Sequence, residues 1–166
     1  MKSAQFSVAI LSQLEEVVEQ LTNDSYCNTM EVFSGASIGQ HIRHILEFYH
    51  CILVQKDSGE ICYDARKRDM KLEESKEFAI QFIHDLKNRL ALLGDDRNIL
   101  LISSLQETTL KTPSSLSREM LYALEHAVHH MAIIKIGLLV GCPELKIPKN
   151  FGVADSTIQY RNQCAQ

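Results

Sequence analysis

The segment Leu121-Tyr-Ala-Leu-Glu-His-Ala-Val-His-His-Met-Ala-Ile-Ile-Lys-Ile-Gly-Leu-Leu-Val140 governs the reading of the whole chain. It is a long apolar run carrying three histidines, His126, His129 and His130. On an α-helix, positions i and i+4 project from one face with Cβ atoms about 6 Å apart. His126 and His130 can therefore hold one cation between their ring nitrogens, as paired histidines do in many zinc sites; His129 points elsewhere. A lone histidine on an apolar face is ordinarily a core residue with satisfied ring nitrogens. Several imidazoles among Leu124, Val128, Met131, Ile133 and Ile134 are another matter, because burial strips their lone pairs of water and a metal takes two of them at once. The H-E-x-x-H arrangement of the zincins is excluded, since Ala127 stands where that motif needs its general-base glutamate.

Outward from this segment, helical periodicity recurs. A first helix is expected from about Gln5 to Leu21, with Phe6, Ile10, Leu14 and Val17 or Val18 on one stripe and Asn23-Asp24 ending it. A second starts near Ser37 as N-cap and carries Ile38, Ile42, Ile45, Tyr49 and Ile52 to about Asp57. A third spans about Leu72 to Leu93 and stops at Gly94; the fourth, capped by Ser117, runs to Val140 and ends at Gly141-Cys142-Pro143. Leu100 to Lys111 reads either as a short strand or as an ordered loop. The tail from Glu144 is too apolar for a linker and is expected to pack, irregular in structure, over the helices. The fold class is all-α, a four-helix bundle, in a single domain spanning 1–166.

Composition narrows the function. With 166 residues, 45% apolar and 23% charged, the chain has the make-up of an ordinary globular protein. A net charge of −4 gives no basic footprint for nucleic acid, and the cluster Arg66-Lys67-Arg68 is offset by Asp64 and Asp69. Five cysteines without a C-x-x-C pair fit free thiols in a reducing compartment, so a cytoplasmic protein is expected. Lys135 interrupts the longest apolar run, so no membrane span is expected.

A catalytic zinc-type site takes three protein ligands and leaves a position open. The second helix supplies candidates in Gln40-His41-Ile42-Arg43-His44. A helical wheel places His41 nearer the apolar stripe and His44 toward its edge, a small margin for His41. His50 and His84 read as boundary or surface residues. A di-iron bundle needs Glu-x-x-His on two helices, and only Glu47-Phe48-Tyr49-His50 matches.

Ser37-Ile-Gly-Gln-His-Ile-Arg-His44, together with Leu124-Glu-His-Ala-Val-His-His-Met131, resembles the DinB-like (DinB/YfiT) superfamily over nearly the whole chain. Ala36 stands where many members have Trp, and Met131-Ala132-Ile133 where many have Arg-Gly-Gln. The resemblance implies an up-down-down-up bundle with a divalent metal, zinc or nickel, on His44, His126 and His130, rather than on His41. It also implies a low-molecular-weight thiol or water as nucleophile, in a thiol-dependent transferase or a hydrolase acting on a small-molecule substrate. Catalytic residues beyond the ligands are not assigned. Glu125 or Glu119 would support the ring N–H groups. Tyr63 to Asp69 reads foremost as a solvated loop, with Arg66 or Arg68 as the alternative carboxylate binder; Phe151, Ser156, Thr157 and Tyr160 are candidates to cover the site. The competing readings are a stress-response binding protein with a structural metal and a metal-free bundle acting through its surface or as a homodimer.

Overall fold

The computed structural model describes residues 1–164. In chain order it comprises α1 (Lys2–Gln20), α2 (Asn23–Cys27), a 3-10 turn (Glu31–Phe33), α3 (Ile38–Gln55), β1 (Glu60–Cys62), α4 (Lys71–Glu74), α5 (Lys76–Ala91), β2 (Asn98–Leu105), β3 (Thr108–Ser115), α6 (Leu116–Gly141) and α7 (Asp155–Cys164). Hydroxyl side chains set the helix starts. The oxygens of Thr22, Ser37, Ser75 and Ser115 accept from the backbone N–H of Ser25, Gln40, Phe78 and Arg118, each satisfying a donor that the first helical turn leaves free. Thus Ser115, not Ser117, caps α6, and the extended backbone of Ser75 divides the expected third helix into α4 and α5. Asn23-Asp24 do more than end α1: they open α2.

The expectation of an all-α four-helix bundle is overturned by a three-stranded mixed sheet in the order β1-β2-β3. β1 lies parallel to β2, with Ile61 beside Leu101, and β2 lies antiparallel to β3, with Ile102 beside Lys111. The ambiguous Leu100–Lys111 stretch is therefore most of a hairpin that continues past Pro113. That proline sits in an outer strand, where a missing N–H does least harm. The hairpin turns through Gln106-Glu107, with Gln106 in the left-handed region at φ 54°, and lacks the Asn-Gly or Asp-Gly pair that announces such turns.

The core sits among the long helices. α1 packs on α5 and α6, and α3 packs on the same two. Leu11, Leu14, Ile42, Ile52, Ile83, Leu86, Met131 and Ile134 are fully buried there, at roughly 1.5–3 kcal/mol for each large aliphatic side chain. α3 also presses on α4, and Gly39 makes the approach possible: a Cβ there would stand 2.6 Å from the Glu73 carbonyl oxygen and 2.8 Å from the Tyr26 ring.

Among the described residues α6 is long and apolar enough by composition to cross a membrane, with a mean hydropathy of 1.3 over its best window, so Lys135 does not break the run as expected. Here it packs on α1, α3 and β3. All five cysteines are free thiols. The tail packs as expected through Phe151, which is fully buried. It is less irregular than expected, because it ends in α7.

Candidate metal centre

Two helices bring the histidines together. Ser37 starts α3 so that His41 and His44, three residues apart, share one face, and that face packs on α6. His44 meets the first histidine of the α6 pair, its Nε2 lying 2.9 Å from Nε2 of His126. His41 meets the second, its Nδ1 lying 3.1 Å from Nδ1 of His130. The rings of His126 and His130 stand 4.6 Å apart, and that of His44 lies 4.7 Å from His130.

One ligand nitrogen from each of His44, His126 and His130 falls within a common 4.8 Å. Nitrogens bound to one cation at 2.0–2.1 Å are about 2.8–3.4 Å apart, from right-angled to tetrahedral geometry. The His44–His126 pair at 2.9 Å already meets that range, and the other pairs, within 4.8 Å, reach it by side-chain adjustments on the order of 1 Å. The group can hold a metal ion. All three residues are half-buried, which leaves one side of the triad reachable from solvent.

The protonation states suit the task. Burial pushes His44 down to about 4, with His126, Arg66, Arg43 and His41 adding to it. Burial likewise pushes His130 down to about 3, helped by His44, His126, His41 and His129, and lowers His126 and His41. Neutral imidazoles with free lone pairs are the form that binds a cation. The sign for folding follows: below an unfolded value near 6.5 the unfolded chain takes up protons that the folded chain refuses. The metal-free protein is therefore expected to lose stability as pH falls from 6.5 toward 4. Thermal melts across that window check this, and His130→Asn flattens the slope.

His41 is a supporting residue in this geometry. If His130 binds through Nε2, its Nδ1 carries the proton and donates to His41 Nδ1, fixing both tautomers. His41 Nε2 is then the protonated nitrogen; it is buried and has no hydrogen-bond partner among the described residues. The edge of Phe33 packs on this ring, with centroids 4.9 Å apart.

Aromatic rings wall the other side. Phe48 stacks on His126 at 4.3 Å and on Tyr63 at 4.8 Å, and Tyr122 lies 5.8 Å from His126. The Tyr63 hydroxyl donates to Glu119 at 2.7 Å, and Arg118 and Ser114 donate to the same buried carboxylate. Burial, and then this hydrogen bond, push the Tyr63 phenol upward, so it stays a donor. Glu119 thus anchors Tyr63 rather than a histidine ring, and Glu125 is exposed.

The loop after β1 is not simply solvated. Arg66 packs 5.2 Å over the Phe48 ring, reaches Glu47 at 3.5 Å and donates to the Tyr63 carbonyl. Glu47 is buried, accepts from the Asp69 N–H at 2.9 Å, and lies 3.7 Å from Arg43, which also pairs with Glu73 at 2.6 Å. Arg68 is exposed. His84 is exposed and pairs with Glu15, while His50 packs edge-on to Phe82; neither joins the cluster. Ser156 lies with α1 on a different side of α6, and Tyr160 is exposed. Compared with family models, with curated proteins and with solved structures, the chain finds no match.

Proposed function

We propose that this chain is a metal-dependent enzyme of the thiol-transferase or hydrolase type, with a divalent cation, zinc or nickel, on His44, His126 and His130. The single observation that carries the reading is that α3 and α6 bring three half-buried imidazoles together, with one ligand nitrogen of each within 4.8 Å of the others. A divalent cation with an open position supplies Lewis-acid chemistry, stabilising a thiolate or making water nucleophilic near neutral pH. The residues do the rest. His41 holds the His130 ring in its ligating tautomer, while Phe48, Tyr63 and Tyr122 keep one side of the cluster poorly solvated and give an uncharged acyl or aryl group a surface to rest on. Glu119 pins Tyr63, and with it the wall. The same ligand set supports the proposal that the chain is a DinB-like protein.

Cobalt substitution tests this. Cobalt(II)-loaded protein titrated with glutathione is expected to develop a sulfur-to-metal charge-transfer band. Zinc- or nickel-loaded protein is expected to transfer glutathione to an aryl halide or to hydrolyse an activated ester. Failure of the protein to take up zinc, nickel or cobalt overturns the reading; uptake without either activity leaves a metal-binding protein and overturns the enzyme.

A further inference from the structure

A second site lies on a different side of α6. Leu121, Leu124, Glu125 and Val128 form one stripe of that helix, turned about 170° from His126 and His130 at 100° per residue. Between this stripe, α1 and the segment leading into α7 is a groove of about 510 Å³. Small-molecule pockets occupy roughly 300–1,000 Å³ and are mainly apolar with a few polar groups that choose the ligand.

Its walls are apolar side chains, among them Phe6, Ile10, Leu124 and Val128. Phe6 is 62% exposed although its ring borders the groove, so apolar surface remains there for an occupant to cover. The charged contribution has one sign, beside the neutral polar Gln13, Asn150 and Ser156. Glu125 and Asp155 line the groove, and among the described residues no lysine, arginine or histidine does. Glu125 makes no ion pair among the described residues, and Asp155 accepts only from the Gln159 amide, a neutral group. Gln13 lines the groove as well, and its Oε1 is buried with no donor to meet it among the described residues.

We infer that this groove binds a small amphiphilic amine, its apolar body between α1 and α6 and its protonated nitrogen among Gln13, Glu125 and Asp155. The charge pattern rejects the alternatives. A carboxylate of the same shape would face two like charges, and an uncharged chain would offer Glu125 and Asp155 no opposite charge. The site needs no metal and stands apart from the proposed enzyme activity.

Isothermal titration calorimetry of the full chain at pH 7 with decylamine, decanol and decanoate, each below its micelle concentration, tests it. Decylamine is expected to bind one per chain and at least tenfold more tightly than the other two. The double variant Glu125→Gln, Asp155→Asn, at two exposed positions, is expected to bind decylamine about tenfold more weakly and decanol unchanged. Ala9→Trp, at an exposed position of α1, fills the groove and is expected to abolish binding, with far-UV circular dichroism confirming that it folds. Equal affinity for the three compounds overturns the amine assignment. Binding of none, or undiminished binding in a folded Ala9→Trp variant, overturns the site; should that variant not fold, the double variant decides.

Discussion

His44→Ala is expected to lower zinc affinity by roughly several hundredfold, His41→Ala by about tenfold to a hundredfold, and His129→Ala not at all. A complete four-ligand structural zinc site provides roughly 10–16 kcal/mol of binding free energy, so one imidazole accounts for about 2.5–4 kcal/mol of it, roughly two to three decades. A residue that only orients a ligand is worth one to two decades. His41 belongs to that second class because its nearest polar neighbour is His130 Nδ1, whereas His44 points Nε2 at His126 Nε2. His129 is exposed and serves as the control. Competition titration against a chromophoric chelator reads all three, with elemental mass spectrometry giving the stoichiometry. Equal losses for His41→Ala and His44→Ala would place both histidines on the cation; a larger loss for His41→Ala would reverse their roles. Metal at a hundred times its dissociation constant is expected to add about 2.7 kcal/mol to stability.

Gly39→Val is expected to destabilise the fold by about 3 kcal/mol, the upper end of what overpacking costs. Its Cβ would meet the Glu73 carbonyl oxygen at 2.6 Å and the Glu73 Cα at 3.1 Å, which are backbone atoms that cannot rotate away. The Tyr26 ring on the same side is fixed too, because its hydroxyl donates to the Leu72 carbonyl at 2.5 Å. Relief therefore requires α3 to move away from α4. For a chain of this size that loss is roughly a 10 °C fall in melting temperature. Because His41 and His44 ride on the same helix, metal affinity is expected to fall with it. Gly94→Ala, where an added Cβ meets nothing within 4 Å, is the matched control. A Gly39→Val melt within 2 °C of the parent would show that α3 and α4 slide apart freely.

The helices were legible because apolar residues recur every three to four positions over many turns, a signal that local chemistry cannot easily disguise. The sheet was not. Its Gln106-Glu107 turn lacks the usual glycine pair, β3 is mostly exposed and carries a proline, and β1 has only three residues, so none of the strands shows a decisive alternation. The pair His126 and His130 followed from spacing within one helix. The helical wheel set His41 against His44 as alternatives, yet residues three apart share a face, and the structure engages both, each with a different histidine of α6. Tyr63 and Glu119 were unreadable as partners because they are 56 residues apart in sequence and meet only through the packed fold.

The facing Nε2 atoms of His44 and His126 belong to residues 82 positions apart. Closing a loop of that length costs about 4 kcal/mol of chain entropy, so a cation that bridges α3 and α6 gains most once those two helices have docked. Where a cation is bound, its uptake during refolding is expected to follow the docking of α3 on α6 rather than the formation of either helix alone, so a metal-sensitive signal would time that docking.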